Sequence, residues 1–217
     1  GFVPTMGAIH RGHVSLIKKS VNECAKTIVS IFINEPQFGK LSDYKRYPRL
    51  IKKDIFILKK LKIDYLFLPK KKQMYPNGPN KNIKIHYFAK KLCGKFRPNH
   101  FKSVVDVIER FIKILSPAKI YLGNKDMQQL KIVENYINNK YSYLKVVPCK
   151  TIREKNGIAY SSRNRLLSIK EKMIASTIYK ILYKNKLLIL KNKLPMYEIK
   201  KKILKLGVKK IDYLEVL

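Results

Sequence analysis

The feature that most constrains this chain is its repeated alternation of short β-branched runs with helical patterns. Thr27-Ile28-Val29-Ser30-Ile31-Phe32-Ile33 is an unbroken run of this kind, typical of a strand buried on both faces. Asp64-Tyr65-Leu66-Phe67-Leu68 before Pro69, Lys119-Ile120-Tyr121-Leu122-Gly123 and Leu144-Lys145-Val146-Val147-Pro148 repeat the signal, and Phe2-Val3 ends a further apolar strand. Helical spacing fills the intervals over residues 13–24, 49–61, 102–115 and 125–139. In the second of these, Leu50, Ile51, Asp54, Ile57, Leu58 and Leu61 fall at helical spacing with lysines opposite. Strand, helix and strand in this order predict an α/β fold. Its core is a Rossmann-like parallel sheet with helices on both faces, over about residues 1–150.

Beyond that point the strand signal fades. Arg153-Glu154-Lys155-Asn156-Gly157 reads as a turn, and residues 168–185 as an amphipathic helix. Ser168 with Glu171 three residues on forms a capping-box pattern at its start. Residues 151–217 are therefore expected to form a smaller C-terminal α+β domain, incomplete if the chain is a fragment. Gly1 in place of Met implies a removed leading segment or a fragment, and what remains shows no signal peptide.

Composition excludes several classes. No apolar run approaches the roughly 18 residues of a membrane span. Cys24, Cys93 and Cys149 are far apart and in no CxxC pair, which argues against a disulfide framework or zinc site and fits a reducing, cytoplasmic setting. The formal net charge of +34 invites a nucleic-acid reading. However, the charge is nearly all Lys, accompanied by abundant Ile, Asn and Tyr, and spread along the whole chain. A/T-rich coding accounts for that texture. We therefore read a solvated basic surface with no specific nucleic-acid partner.

The chemistry begins at Pro4-Thr5-Met6-Gly7-Ala8-Ile9-His10-Arg11-Gly12-His13. A buried strand, a turn forced by Pro4 and Gly7, and a helix starting near His13 aim backbone N–H groups and a positive dipole end at one spot. His10 and His13 stand three apart, so both imidazoles can face that spot and donate to phosphate oxygens. On its own the pair also suits two capping or surface histidines. Lys125 is suited to phosphate as a mobile point charge, and Asp126 beside it can accept from a ribose hydroxyl. Gln37 and Gln129 each donate and accept, as binding a hydroxy acid requires. Ser161-Ser162-Arg163 offers two hydroxyls and a permanent cation in a short loop.

His-x-Gly-His after a buried strand resembles the signature of the nucleotidyltransferase superfamily that includes class I tRNA synthetases. The longer string beginning at Val3 resembles the pantothenate synthetase family. Six further segments resemble that family in its own order: Ser30–Phe38, Arg46-Tyr47-Pro48-Arg49, Met74-Tyr75-Pro76, Arg97–Phe101, Gly123–Leu130 and Ala159–Asn164.

The resemblance implies an ATP-dependent ligase joining pantoate to β-alanine through pantoyl adenylate, with release of pyrophosphate and AMP. It implies His13, His10, Lys125 and Arg163 as catalytic groups, with His13 favoured for proton donation. An ATP site is implied at Met6, Gly7, His10, His13, Gly123, Asn124, Lys125, Asp126, Ile152, Tyr160, Ser161, Ser162 and Arg163. Pantoate is implied at Gln37 and Gln129, and β-alanine beside Gln37. Mg2+ is expected with the nucleotide but has no firm protein ligand, Asp54 being a weak candidate. A homodimer and a hinged lid, with the Ser-Ser-Arg loop playing the part of a tRNA synthetase KMSKS loop, are further implications. The chain departs from the family at Glu35, inserted beside Pro36, at Asn124 and Cys93 for Glu, at Asn99 for Gly, and at Met127 for an aromatic residue. The rival readings are another nucleotidylyltransferase and a basic nucleic-acid-binding protein.

Overall fold

The computed structural model describes residues 1–216. Its chain falls into two compact units, Gly1–Ile152 and Arg153–Leu217. The first holds a five-stranded sheet built from β1 (Phe2–Thr5), β2 (Ile28–Ile31), β3 (Tyr65–Phe67), β4 (Lys119–Gly123) and β5 (Lys145–Cys149). The strand order is β3-β2-β1-β4-β5 and every pairing is parallel. Four longer helices connect them: α1 (Arg11–Glu23), α3 (Ile51–Lys60), α6 (His100–Leu115) and α7 (Met127–Lys140). Short helices α2 (Leu41–Arg46), α4 (Lys71–Met74) and α5 (Cys93–Phe96) lie in the connections.

Successive strand residues point to opposite faces, and the core divides accordingly. Phe2, Ile120, Leu122 and Val146 join Phe111 and Ile112 of α6 and Ile132 and Ile137 of α7. Val3, Val29, Tyr121 and Val147 join Leu16 and Ile17 of α1 and Leu58 of α3. One face is thus covered by α6 and α7 and the other by α1 and α3, as the alternating pattern predicts. Element boundaries differ from the sequence expectation by only a residue or two.

The stretch between β3 and α6 gave no periodic signal, yet it is pinned down. Arg110 of α6 donates from Nε to Asp106 Oδ1 at 2.6 Å, from Nη1 to the Met74 carbonyl at 2.6 Å and from Nη2 to the Gly78 carbonyl at 3.0 Å. Its guanidinium also lies 4.4 Å from the centre of the Tyr75 ring. Asn99 precedes α6 in the left-handed region at φ 62. Asn tolerates that region better than most side chains, which explains how it stands where the family uses Gly.

In the second unit, Arg153 pairs antiparallel with Ala159 around a turn closed by Gly157 at φ 91. A 3-10 turn spans Ser162–Leu166, followed by α8 (Ile169–Leu190) and α9 (Met196–Leu204). The expected capping box is present: Glu171 N donates to Ser168 Oγ, and Ser168 N to Glu171 Oε2 at 2.7 Å. The helix runs five residues past the expected end at Asn185. Where an α+β unit was expected, this isolated bridge is the only β-pairing among the described residues of the unit.

Candidate active site at the sheet switch point

Strand order reverses between β1 and β4, and in a parallel sheet the crevice beyond the carboxyl ends of such strands is where ligands bind. The two loops leaving those strands carry most of the predicted site residues.

After β1 the chain turns sharply. Thr5 Oγ1 donates to the Ser30 carbonyl at 2.6 Å and accepts from Gly7 N at 3.2 Å. Gly7 and Ala8 both take left-handed conformations, at φ 79 and 49. Asp54 of α3, buried at 1% exposure, accepts from Ala8 N through Oδ2 and from Ile9 N through Oδ1, each at 2.8 Å. His10 then caps α1, its Nδ1 accepting from Gly12 N at 3.1 Å. In the neutral ring this places the proton on Nε2. The amides of Ala8, Ile9 and Gly12 therefore have acceptors inside the chain. These three N–H groups are thus engaged within the chain, where the expectation was that they face phosphate.

His10 and His13 stack with ring centres 3.9 Å apart. His13 Nδ1 is buried with no hydrogen-bond partner among the described residues, although the side chain as a whole keeps some exposure. Burial, reinforced by His10 and Lys125, pushes its pKa down to about 3. The ring is thus neutral near pH 7. It is a hydrogen-bond donor there, and the expected role of proton donor does not suit the ligand-free chain.

β1 and β4 are paired neighbours in the sheet, Phe2 opposite Ile120, so the loops leaving their carboxyl ends lie side by side. Past Gly123, where a side chain would meet nothing within 4 Å, a 3-10 turn carries Asn124, Lys125 and Asp126. Asn124 Oδ1 is buried with no hydrogen-bond partner among the described residues. Lys125 Nζ lies 3.5 Å from Asp126 Oδ2, with both side chains substantially exposed. A buried imidazole nitrogen and a buried amide oxygen without partners among the described residues are groups that a polar ligand would satisfy. On α7 the adjacent glutamines divide. Gln128 is buried, donating to the Phe88 and Lys91 carbonyls at 3.0 and 2.7 Å and accepting from Cys93 N at 3.1 Å. Gln129 is half-buried.

The loop after β2 supplies Gln37 on a 3-10 turn, Glu35–Gln37. Its Nε2 donates to Met6 Sδ at 3.1 Å, which ties it to the first turn. Asn34 holds it in place, with Nδ2 donating to Gln37 Oε1 and to the Ser103 carbonyl, both at 3.1 Å. Tyr75 OH donates to Asn34 Oδ1 at 2.6 Å, and His100 Nδ1 meets the Gln37 carbonyl at 2.7 Å. The inserted Glu35 pairs with Lys71 at 2.7 Å. The two border a cleft of about 420 Å³ with Phe38, Tyr44 and Tyr75. That cleft includes none of the histidines, Lys125 or the glutamines.

Met6, Gly7, His10, His13, Gln37 and Lys125 are therefore connected within the first unit. Ile152 ends that unit, and Tyr160, Ser161, Ser162 and Arg163 belong to the second. There Ser161 Oγ accepts from Arg163 N at 3.3 Å, and Asn164 Nδ2 donates to Glu154 Oε1 at 2.9 Å and to the Ala159 carbonyl at 3.0 Å. Asp54, the weak metal candidate, has both oxygens occupied by backbone amides. No group of three or more His, Cys, Asp or Glu among the described residues is arranged to hold a metal ion. Sequence reasoning missed Asp54 as the brace of the turn, and it missed Asn34, Gln128 and His100. Only Asp54 carried a signal, as a carboxylate among the apolar positions of its helix.

Fold and crevice together define a parallel α/β protein equipped for an anionic ligand at its switch point. Comparison with known proteins narrows this. A family model for pantoate-beta-alanine ligase matches residues 1–217. A pantothenate synthetase of Caldicellulosiruptor saccharolyticus is 40% identical, over 99% of this chain and 78% of its own length. One of Sulfurihydrogenibium sp. is 43% identical, over 86% of this chain and 66% of its own. The crystal structure of a pantoate-beta-alanine ligase from Francisella tularensis, complexed with beta-gamma ATP and beta-alanine, superposes with a TM-score of 0.92. It is 38% identical, over all of this chain and 81% of that one. The chain belongs to the pantoate–β-alanine ligase family. It spans between about two thirds and four fifths of the length of these relatives.

Proposed function

We propose that this chain condenses pantoate with β-alanine at the expense of ATP. The observation that carries the reading is the convergence of stacked His10 and His13 with Lys125 at the switch point, with Gln37 hydrogen-bonded into the same turn. Family membership, and the ATP and β-alanine named for the Francisella ligase, support it.

In the first step a pantoate carboxylate oxygen bonds to the α-phosphorus, and the bond from that phosphorus to the bridging oxygen breaks. Pyrophosphate leaves with the electron pair. In the second step the free amine of β-alanine attacks the acyl carbon, the bond to the AMP oxygen breaks, and the nitrogen loses a proton. Neither step needs a covalent nucleophile from the protein, so positioning and charge stabilisation supply the acceleration. His10 and neutral His13 would donate to the oxygens on which charge grows, and Lys125 would neutralise the phosphates. Gln37 and Gln129 would hold pantoate, Asp126 would accept from the ribose, and Ile152 would border the nucleotide. From the second unit, Tyr160, Ser161, Ser162 and Arg163 would close on the triphosphate as a lid. Magnesium would arrive on the nucleotide and neutralise phosphate charge, its coordination coming mostly from phosphate and water. The family resemblance also leads us to propose a cytoplasmic homodimer.

The test is release of AMP from ATP with pantoate and β-alanine supplied together or singly. Release that requires both is expected. Release indifferent to both sinks the reading and favours a different nucleotidylyltransferase or a polyanion-binding protein.

A further inference from the structure

We infer that Asp54 is a positioning residue for this reaction: its carboxylate holds the strained β1–α1 turn in the form that presents Met6, His10 and His13 to substrate. The inference rests on the ATP-dependent reading above. Three independent observations carry it. Asp54 reaches the turn from a different element, 46 residues along the chain, and both its oxygens accept backbone N–H groups at 2.8 Å. Hydrogen bonds to a buried carboxylate are among the strongest a protein makes.

The turn needs such a brace. Ala8 is not glycine, yet sits at φ 49, a conformation that persists only where surrounding contacts impose it. Gly7 is fitted to the same carboxylate: a Cβ there would lie 3.0 Å from Asp54 Oδ2 and 3.0 Å from Ile31 Cγ2.

The geometry has a direct chemical consequence. With the amides of Ala8 and Ile9 turned onto Asp54, the residues that follow are delivered immediately into the cap of α1. His10 accepts from Gly12 N there and stacks on His13 at 3.9 Å. If the turn relaxed, the two rings would lose their common orientation. Met6, which accepts from Gln37 at 3.1 Å, would carry the pantoate side of the site with it. Asp54 touches no substrate in this account; it acts through the turn.

The test uses Asp54→Asn, whose amide keeps one acceptor oxygen and sets an NH2 against the other N–H. The expected result is a fall of about 100-fold in kcat/KM for ATP, the scale of loss when reacting groups are misplaced by an ångström. Far-UV circular dichroism should be retained. The Mg2+ dependence should be unchanged, and Ala8→Gly in the same chain should recover part of the loss, because glycine adopts the turn without strain. Nitrogen-15 shifts of the His13 ring supply a readout independent of turnover. Its titration should move up from about 3 toward the ordinary value. Should Asp54→Asn fail to fold, Gly7→Ala disturbs the same contact from the turn side and is read in the same way.

Activity within twofold of the parent and an unmoved His13 titration would overturn the proposal. So would an activity loss restored by excess Mg2+ alone, since that outcome makes Asp54 a metal contact. A parent protein without ATP-dependent ligation defeats the reaction assignment, whereas the His13 readout still judges the role of Asp54 in the turn.

Discussion

His13 shows how far burial can redefine a side chain. An ordinary imidazole is half protonated near pH 6.5, but this one is held neutral down to about pH 3. Histidine NMR on the ligand-free protein should find its ring unchanged from pH 8 to pH 5. His13→Ala should lower kcat by about 100- to 1000-fold, as loss of a donor to transition-state charge does elsewhere. The neighbouring glutamines make the second residue-scale prediction. Gln128→Ala strands the Cys93 amide and two carbonyls, and should cost about 1–3 kcal/mol in chemical denaturation. Gln129→Ala should leave stability alone and raise KM for pantoate. The histidines and Lys125 were legible as candidates, since their residue types and spacing suit the chemistry. Gln129 was singled out by the family resemblance alone, because nothing in two adjacent identical side chains says which one the packing of residues 88–93 will bury.

Among the elements, α6 carries more than its apolar face. Glu109, with its side chain only 5% exposed, receives Lys113 at 3.2 Å, Lys140 of α7 at 2.5 Å and the Tyr141 hydroxyl at 3.3 Å. Burial alone would raise its pKa. Hydrogen bonds from Lys140, Tyr136 and Lys113 outweigh that, and Glu109 is held down at about 2. A carboxylate with a depressed folded pKa stabilises the fold above its unfolded value of 4.5, and that contribution is lost as pH falls toward 2. It is on the order of 3 kcal/mol. His13 acts with the same sign but earlier, because its unfolded ring takes up a proton below about 6.5 and its folded ring does not. Denaturation midpoints should therefore begin to fall below about pH 6.5 and fall faster below about pH 4.5; Glu109→Gln should weaken the second phase and leave the first unchanged. Strands and long helices were legible because their periodicity is a property of burial. The clamp of Arg110 on the 74–80 segment was not, since it satisfies carbonyls whose positions only the folded chain defines.

For the whole molecule, the governing quantity is the +34 charge. At least eight of the fourteen acidic residues already sit in ion pairs, so little acid remains to balance the surplus lysines. Such a chain repels itself and attracts anions, and both effects are screened over about 10 Å at 0.1 M salt. Raising sodium chloride from low concentration to about 0.3 M should raise the melting temperature. It should also lower kcat/KM for ATP, while the net-neutral β-alanine shows little dependence. A melting temperature that falls with salt would contradict this account.

The sheet order has a further consequence, for synthesis. β1 lies at the centre of the sheet but comes early in the chain, and its partner on one side, β4, begins at Lys119. A ribosome delivers β1, β2 and β3 long before β4, leaving one edge of the central strand exposed while more than fifty further residues are made. The crevice does not exist until that last long-range pairing forms, which is intrinsically slow. A nascent chain stopped short of Gly123 therefore has strands in search of a neighbour and nowhere to hold a nucleotide, so the interval before β4 emerges is when this protein most needs a chaperone.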